Sequence, residues 1–234
     1  MSKLSKFQGI FWAVLLISLW IANLAYWIQA DFSWSNPWMY LAILLQMHLY
    51  TGLFITSHDA IHGVVFAENP RINHAIGRFC TILFAFNDYS TLRSKHHQHH
   101  AHVNTEIDPD VYQGPFLIWW IKFIWAYVTW KQVLAMAITY HILKFWFPMW
   151  NLILFWELPA ILSTLQLFVF GTYLPHRGEH ATDNAQQSRS QGKNHIWAFI
   201  SCYFFGYHYE HHDSPGTPWW RLWRVKEKQT ADIR

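Results

Sequence analysis

Residues 7–30 include no charged side chain, and the stretch is apolar almost throughout. A bilayer core of ~30 Å is crossed by ~20 helical residues. Inside it the backbone must satisfy its own hydrogen bonds, so this run predicts a membrane-spanning helix. Lys3 and Lys6 precede it and Asp31 follows. It is longer than a signal-peptide core and no Ala-x-Ala pattern follows, which makes it a retained anchor. The polar turn at Asp31, Ser33, Ser35, Asn36 and Pro37 returns the chain through a second span over 38–56. That helix is expected to continue into His58–His62, since nothing breaks it before Gly63. A second hairpin is expected from 133–150 and 152–173, with Pro148 as a kink or end of its first arm, Pro159 as a kink in the second and Pro175 as the stop.

Composition agrees. Charged residues are 13% of the chain, against roughly 25% in soluble domains. The stretch 79–86 is too short to cross. Residues 115–130, aromatic with Lys122 inside and Lys131 just beyond, read as an interfacial helix with snorkelling lysines, and 196–207 as an interfacial or re-entrant helix. The expected fold is an all-α integral-membrane domain over 1–234. It has about four transmembrane helices in two hairpins, interfacial helices and a polar cap. Arg71, Arg78, Arg93, Lys95, Arg177, Arg189 and Lys193 all fall on the side of the cap and both termini, which places that side in the cytoplasm. The net charge of +3 marks orientation and gives no nucleic-acid face. Cys80 and Cys202 fit no thiolate metal spacing and read as buried small hydrophobes.

The cap is where the 16 histidines concentrate. His58 and His62 are four apart, so on a helix they share a face. His96, His99 and His100 follow an HxxHH spacing, and His208, His211 and His212 repeat it. Any one box could be a polar helix end; three on one membrane side point to metal. Eight imidazoles exceed one tetrahedral zinc and suit two ions of higher coordination, with iron, zinc or copper all open by ligand type. Magnesium and calcium prefer oxygen. There is no HExxH, which argues against a membrane metalloprotease. His176, just after the last span, is the preferred ninth ligand, and His180 is a weaker alternative. Asp59, Asp108, Asp110 and Glu210 are expected to orient histidine rings. Asn87 could hold water, line the pocket or cap a helix. His48, His74, His141 and His195 have no spacing signal.

At these boxes the chain resembles the membrane fatty-acyl desaturase/hydroxylase superfamily. The stretches around them narrow the resemblance to the bacterial and cyanobacterial beta-carotene ketolases. They are His58-Asp59-Ala60-Ile61-His62-Gly63, Phe86-Asn87-Asp88-Tyr89, Lys95-His96-His97-Gln98-His99-His100, Asp108-Pro109-Asp110, Phe170-Gly171-Thr172-Tyr173-Leu174-Pro175-His176-Arg177 and the block 202–220. The resemblance implies a non-haem di-iron oxygenase acting at C4 of a carotenoid beta-ionone ring, with its irons on the eight box histidines and His176 as an addition. Where such proteins more usually carry a histidine before Phe-Gly, this chain has Phe204, which puts the pocket lining there in doubt.

The reaction so implied uses O2, hydroxylates C4 twice and loses water to give the ketone. The carotenoid comes from the bilayer. Electrons come from an external carrier such as ferredoxin, because the sequence has no flavin or nicotinamide loop and no iron–sulfur cysteine set. The setting implied is a bacterial inner or thylakoid membrane. Trp219 and Trp220, after the third box, are candidates for a site wall. The alternatives are a carotenoid hydroxylase, a fatty-acyl desaturase or hydroxylase, and a membrane metal-transport or structural protein.

Overall fold

The computed structural model describes residues 6–232, so Lys3 lies outside the described residues. Polar side-chain caps start several of the helices. Helix α1 is Gln8–Trp27. In α2, Pro37–Ile61, the Asn36 side chain accepts the Trp38 N–H and Pro37 occupies the first turn. Helix α3, Pro70–Leu83, repeats the device with Asn69 and Pro70. Helix α4, Tyr89–Ala101, starts on Asp88, which accepts the Thr91 N–H. Then come α5, Phe116–Tyr127, after Pro115, and α6, Trp130–Leu143, capped by Thr129. Helix α7 runs over Met149–His176, followed by α8, His195–Cys202, α9, His208–Asp213, and α10, Trp219–Asp232.

Three of these are long and apolar enough to cross a membrane: α1, α2 and α7. The expected single span over 133–150 is not one of them, because α6 stops after 14 residues and a turn ending at Pro148 separates it from α7. At 1.5 Å per residue α6 is only about 21 Å long. Trp150 therefore belongs to the next helix. Pro159 lies inside α7, and the helix stops at His176, one residue past Pro175. Each proline is preceded by a wider, π-type turn, Ile153–Glu157 and Phe168–Tyr173. A proline leaves the carbonyl one turn earlier without its usual donor, and a π-turn is one way to absorb that.

Polar pairs fasten the long helices inside the apolar bundle. Asn23 Nδ2 donates to Gln46 Oε1 at 2.7 Å between α1 and α2. Thr51 bonds Ser163 at 2.9 Å and Gln166 at 2.5 Å between α2 and α7. At the end away from the histidines, Asn151 Nδ2 donates to the carbonyls of Trp27 at 2.9 Å and Ala30 at 2.7 Å, closing the α1–α2 turn on the start of α7. At the other end Gln113 donates to the His176 carbonyl at 2.7 Å. Between Gln113 and Asn151 the chain therefore travels the height of the bundle, through α5 and α6.

Near the cap, α1 and the segment after α2 touch backbone to backbone. A Cβ on Gly9 would stand 2.0 Å from the Val65 carbonyl oxygen and 2.8 Å from its Cα. Backbone cannot step aside as a flexible side chain can. Gly9→Ala is expected to cost about 3 kcal/mol or more, at the upper end of overpacking effects, read as a lowered thermal midpoint in detergent.

Candidate metal centre

Four elements deliver the histidines. The last turn of α2 and its cap carry His58 and His62, α4 carries His96, His99 and His100, the end of α7 carries His176, and α9 carries His208, His211 and His212. Two of these elements are reached by unusual backbone. Ala85 and Phe86 before α4, and Tyr203 and Phe204 before α9, are consecutive pairs with φ between 49° and 63°. Such left-handed pairs at non-glycine residues persist only where packing over-determines them. Here each turns the chain sharply into a histidine box.

The nine side chains form two groups, His58, His62, His96, His100 and His211 in one, His99, His176, His208 and His212 in the other. Within each, one nitrogen per residue lies within 4.8 Å of all the others. In the first group Nε2 atoms face one another at 2.7 Å (His62 and His96), 3.0 Å (His100 and His211) and 3.2 Å (His58 and His211). In the second they do so at 2.9 Å (His176 and His208, His208 and His212) and 3.1 Å (His99 and His212). Nitrogens about 2.1 Å from a metal at right angles stand about 3.0 Å apart, and opposite ones about 4.2 Å. Both groups thus have the spacing of ligands around one ion. They adjoin, with the rings of His100 and His212 stacked 4.3 Å apart.

Each HxxHH box divides between the groups. His96 and His100 go to the first group while His99 crosses to the second; His208 and His212 go to the second while His211 crosses to the first. At 100° per residue, positions i and i+4 lie 40° apart on one flank, and i+3 lies 60° off on the other. One helical turn can therefore serve two neighbouring ions. This refines the single shared face expected for each box.

Burial shapes the electronics. His96, His208, His211 and His212 are pushed well below the ordinary histidine value by burial first and neighbouring imidazoles second. His100 is lowered to about 3 by the same causes, and His62 to about 4 by burial and His97. These rings are neutral at physiological pH, with lone pairs available to a cation. His99 differs. Burial acts against its charged form, but Asp110 and Asp108 outweigh it and raise the value. Asp108 is held below the ordinary carboxylate range although burial opposes this, because His99 and the N–H groups of Asp110 and Asn104 bond it.

Other groups aim the rings. His99 Nδ1 donates to Asp108 Oδ1 at 2.9 Å, and His176 Nδ1 donates to the Gln187 carbonyl at 3.1 Å. Either bond leaves Nε2 for a metal. Asp110 stands 3.8 Å from His99 Nδ1 and is itself held by the Tyr127 hydroxyl. Asp59 lies 3.3 Å from His58 Nδ1 and accepts the Trp219 N–H at 2.9 Å. Glu210 is placed differently from the other three carboxylates. It accepts from Ser190 and, at 2.8 Å, from Lys226, so it ties α9 to α10. Asn87 lines a narrow cleft beside Phe54 and Tyr127. His180 stays outside both groups, its Nε2 3.3 Å from the His176 carbonyl oxygen. His195 bonds Tyr207 and Glu227 instead.

Sequence reasoning missed several contributors. Phe205 packs its ring on His58, His208 and His211 at 4.8–5.3 Å, and Gly171 leaves room for it, since a Cβ there would meet the ring at 2.6 Å. Phe204, the departure noted above, packs on Tyr207 and Trp219, away from the metal groups. Trp219 is buried in the same aromatic stack, whereas Trp220 lines a separate surface cleft. Tyr127 and the Gln187 carbonyl gave no pattern signal.

The fatty acid desaturase family model matches residues 32–130 and 112–232. The chain is 39% identical over 184 residues to a beta-carotene ketolase of Paracoccus sp. (strain PC1), covering 76% of this chain and 75% of that protein. A beta-carotene ketolase of Paracoccus sp. (strain N81106 / MBIC 01143) is 36% identical over 91% of this chain and 90% of that one. A zeaxanthin 4-ketolase of Chlamydomonas reinhardtii is 36% identical over 92% of this chain, which spans about half (51%) of that longer protein. The histidine boxes, the helical bundle that carries them and these relatives agree: the chain belongs to the fatty acid desaturase family, in the group formed by the beta-carotene ketolases.

Proposed function

We propose that the protein is an O2-dependent carotenoid 4-ketolase, converting the C4 methylene of beta-ionone rings to a ketone. Two adjoining all-imidazole groups, in a chain whose relatives are ketolases, carry this reading. The residues fit iron by donor type and spacing. Two iron ions, held by the five and four histidines, would supply reductive activation of O2.

The protein's own part is positional. Asp108 and the Gln187 carbonyl hold the tautomers of His99 and His176, Phe205 keeps an apolar ring against the imidazoles, and Asp59 fixes α10 over the site. One O2, two electrons and two protons turn the methylene into an alcohol and release water. A second set gives the geminal diol, which loses water to become the ketone. The electrons come from a soluble carrier such as ferredoxin.

The substrate arrives from lipid. In this reading the protein is multi-pass in a bacterial inner or thylakoid membrane, with α5 and α6 making the fourth crossing in two pieces and the histidine cap facing the cytoplasm. The basic side chains Arg71, Arg78, Arg93, Lys95, Arg177, Arg189 and Lys193 favour that orientation. Expression in a beta-carotene-producing bacterium, with pigments separated and weighed by mass spectrometry, is expected to give products with one or two keto groups. The purified protein is expected to hold about two irons per chain. Unchanged beta-carotene alongside iron-loaded protein and a competent electron donor would overturn the assignment.

A further inference from the structure

A cleft on the apolar flank of the bundle runs inward toward the cap in two adjoining parts. Its outer part, ≈ 280 Å³, is walled by Val133, Met136, Glu157, Ala160 and Ile161 among others. Val133 and Ile161 are exposed, so the mouth opens on the surface this reading gives to lipid. The inner end, ≈ 40 Å³, is lined by Phe54, Asn87, Phe123, Tyr127 and Leu167. Gln132 and Thr164 border both parts. Phe54 is one helical turn before His58, and Tyr127 donates to Asp110, which stands 3.8 Å from His99, so the inner end lies on the side of the metal groups with Tyr127 and Asp110 between it and His99.

Two amides stand in this apolar passage. Helix α6 buries a single side chain, and it is Gln132. Gln132 is 9% exposed and Asn87 8%. Gln132 Oε1 and Asn87 Oδ1 are buried with no hydrogen-bond partner among the described residues. A polar group withdrawn from water without a partner is a net cost to the fold, and two of them lining one narrow cleft call for a ligand that can bond them.

We propose that Gln132 and Asn87 form a polar subsite for the hydroxyl oxygen of a once-oxidised ring. The inference rests on the ring-oxidation reading above and adds to it the part of the site that senses oxidation state. An unoxidised hydrocarbon ring can neither donate to these amides nor accept from them. An alcohol does both, whichever way the amides are turned. A ketone can accept but has lost its donor. The subsite therefore holds the C4 alcohol for its second oxidation and releases the finished ketone.

The test compares 4-hydroxy-beta-ionone with beta-ionone, titrated by tryptophan fluorescence into the full-length protein in detergent. One net hydrogen bond corresponds to roughly a 3- to 10-fold preference for the alcohol. That preference is expected in the unaltered protein and is expected to vanish in Gln132→Met, which keeps length and volume, and in Asn87→Leu. In pigment-producing cells both variants should release C4 alcohol at a share of product raised by about 3- to 10-fold. Equal affinity for the two ionones in the unaltered protein overturns the subsite, as does an unchanged alcohol-to-ketone ratio in the variants. If the unaltered protein makes no keto product, the ring-oxidation reading falls and the subsite with it. If it makes ketone and shows no alcohol preference, the subsite alone falls.

Discussion

His211→Ala and His212→Ala are each expected to abolish keto product, and each through a different metal. The two residues are neighbours in sequence, yet His211 belongs with His58, His62, His96 and His100, and His212 with His99, His176 and His208. Removing His211 leaves the first group four nitrogens and takes away the contact of both His58 and His100, at 3.2 and 3.0 Å. Removing His212 breaks the bridge from His99 to His208, at 3.1 and 2.9 Å. Iron content should fall from about two toward about one in each variant. Activity should fall by about a thousandfold or more, because groups that act as a unit fail together. His195→Ala is the control. That ring bonds Tyr207 at 2.9 Å and Glu227 at 2.8 Å and lies in neither metal group, so its loss should leave both irons in place. Elemental analysis of the three purified variants decides the matter. Full iron in His212→Ala, or iron lost from His195→Ala, would sink the assignment.

The division of the boxes shows how far a sequence can be read. Spacing alone identifies the eight box histidines, because i, i+3 and i+4 positions must stand near one another on any helix; the ninth, His176, was legible only from its place at the end of the last span. It does not say that His99 parts company with His96 and His100, which depends on where α9 and the end of α7 meet α4. The first two spans were legible for a similar reason: an uncharged run of such length has few other homes. The third was not, since α6 is apolar on nearly all sides and buries only Gln132, so hydropathy continues past the point where Pro148 turns the chain. The left-handed pairs Ala85–Phe86 and Tyr203–Phe204 were equally hidden. None of those residue types favours positive φ, and tertiary packing imposes it. Glu210 shows the opposite failure. It sits inside a histidine box, but its direction on α9 hands it to Ser190 and Lys226.

That contrast gives the second large effect, Asp108→Asn against Glu210→Gln. Asp108 uses both carboxylate oxygens. Oδ1 accepts from His99 Nδ1 and the Asp110 N–H, both at 2.9 Å, and Oδ2 accepts from the Asn104 N–H at 2.8 Å and from His99 Nδ1 at 3.0 Å. Asparagine has one acceptor. Whichever way it is turned, its NH2 meets an N–H donor, and the charge that holds the His99 ring is gone. Loss of such a ring-orienting partner typically costs 10- to 100-fold in metal affinity or activity, about 1.4–2.8 kcal/mol at 1.4 per factor of ten. The loss should appear as weaker retention of one iron during chelator titration, with the other bound as before, since His99 serves the second group only. Glu210→Gln should leave the chelator titration unchanged and act on the α9–α10 link, where Lys226 loses its carboxylate, as a lower thermal midpoint. If both substitutions released iron equally, aiming His99 would not be what Asp108 does, and the two carboxylates would have to be treated alike as supports of the cap.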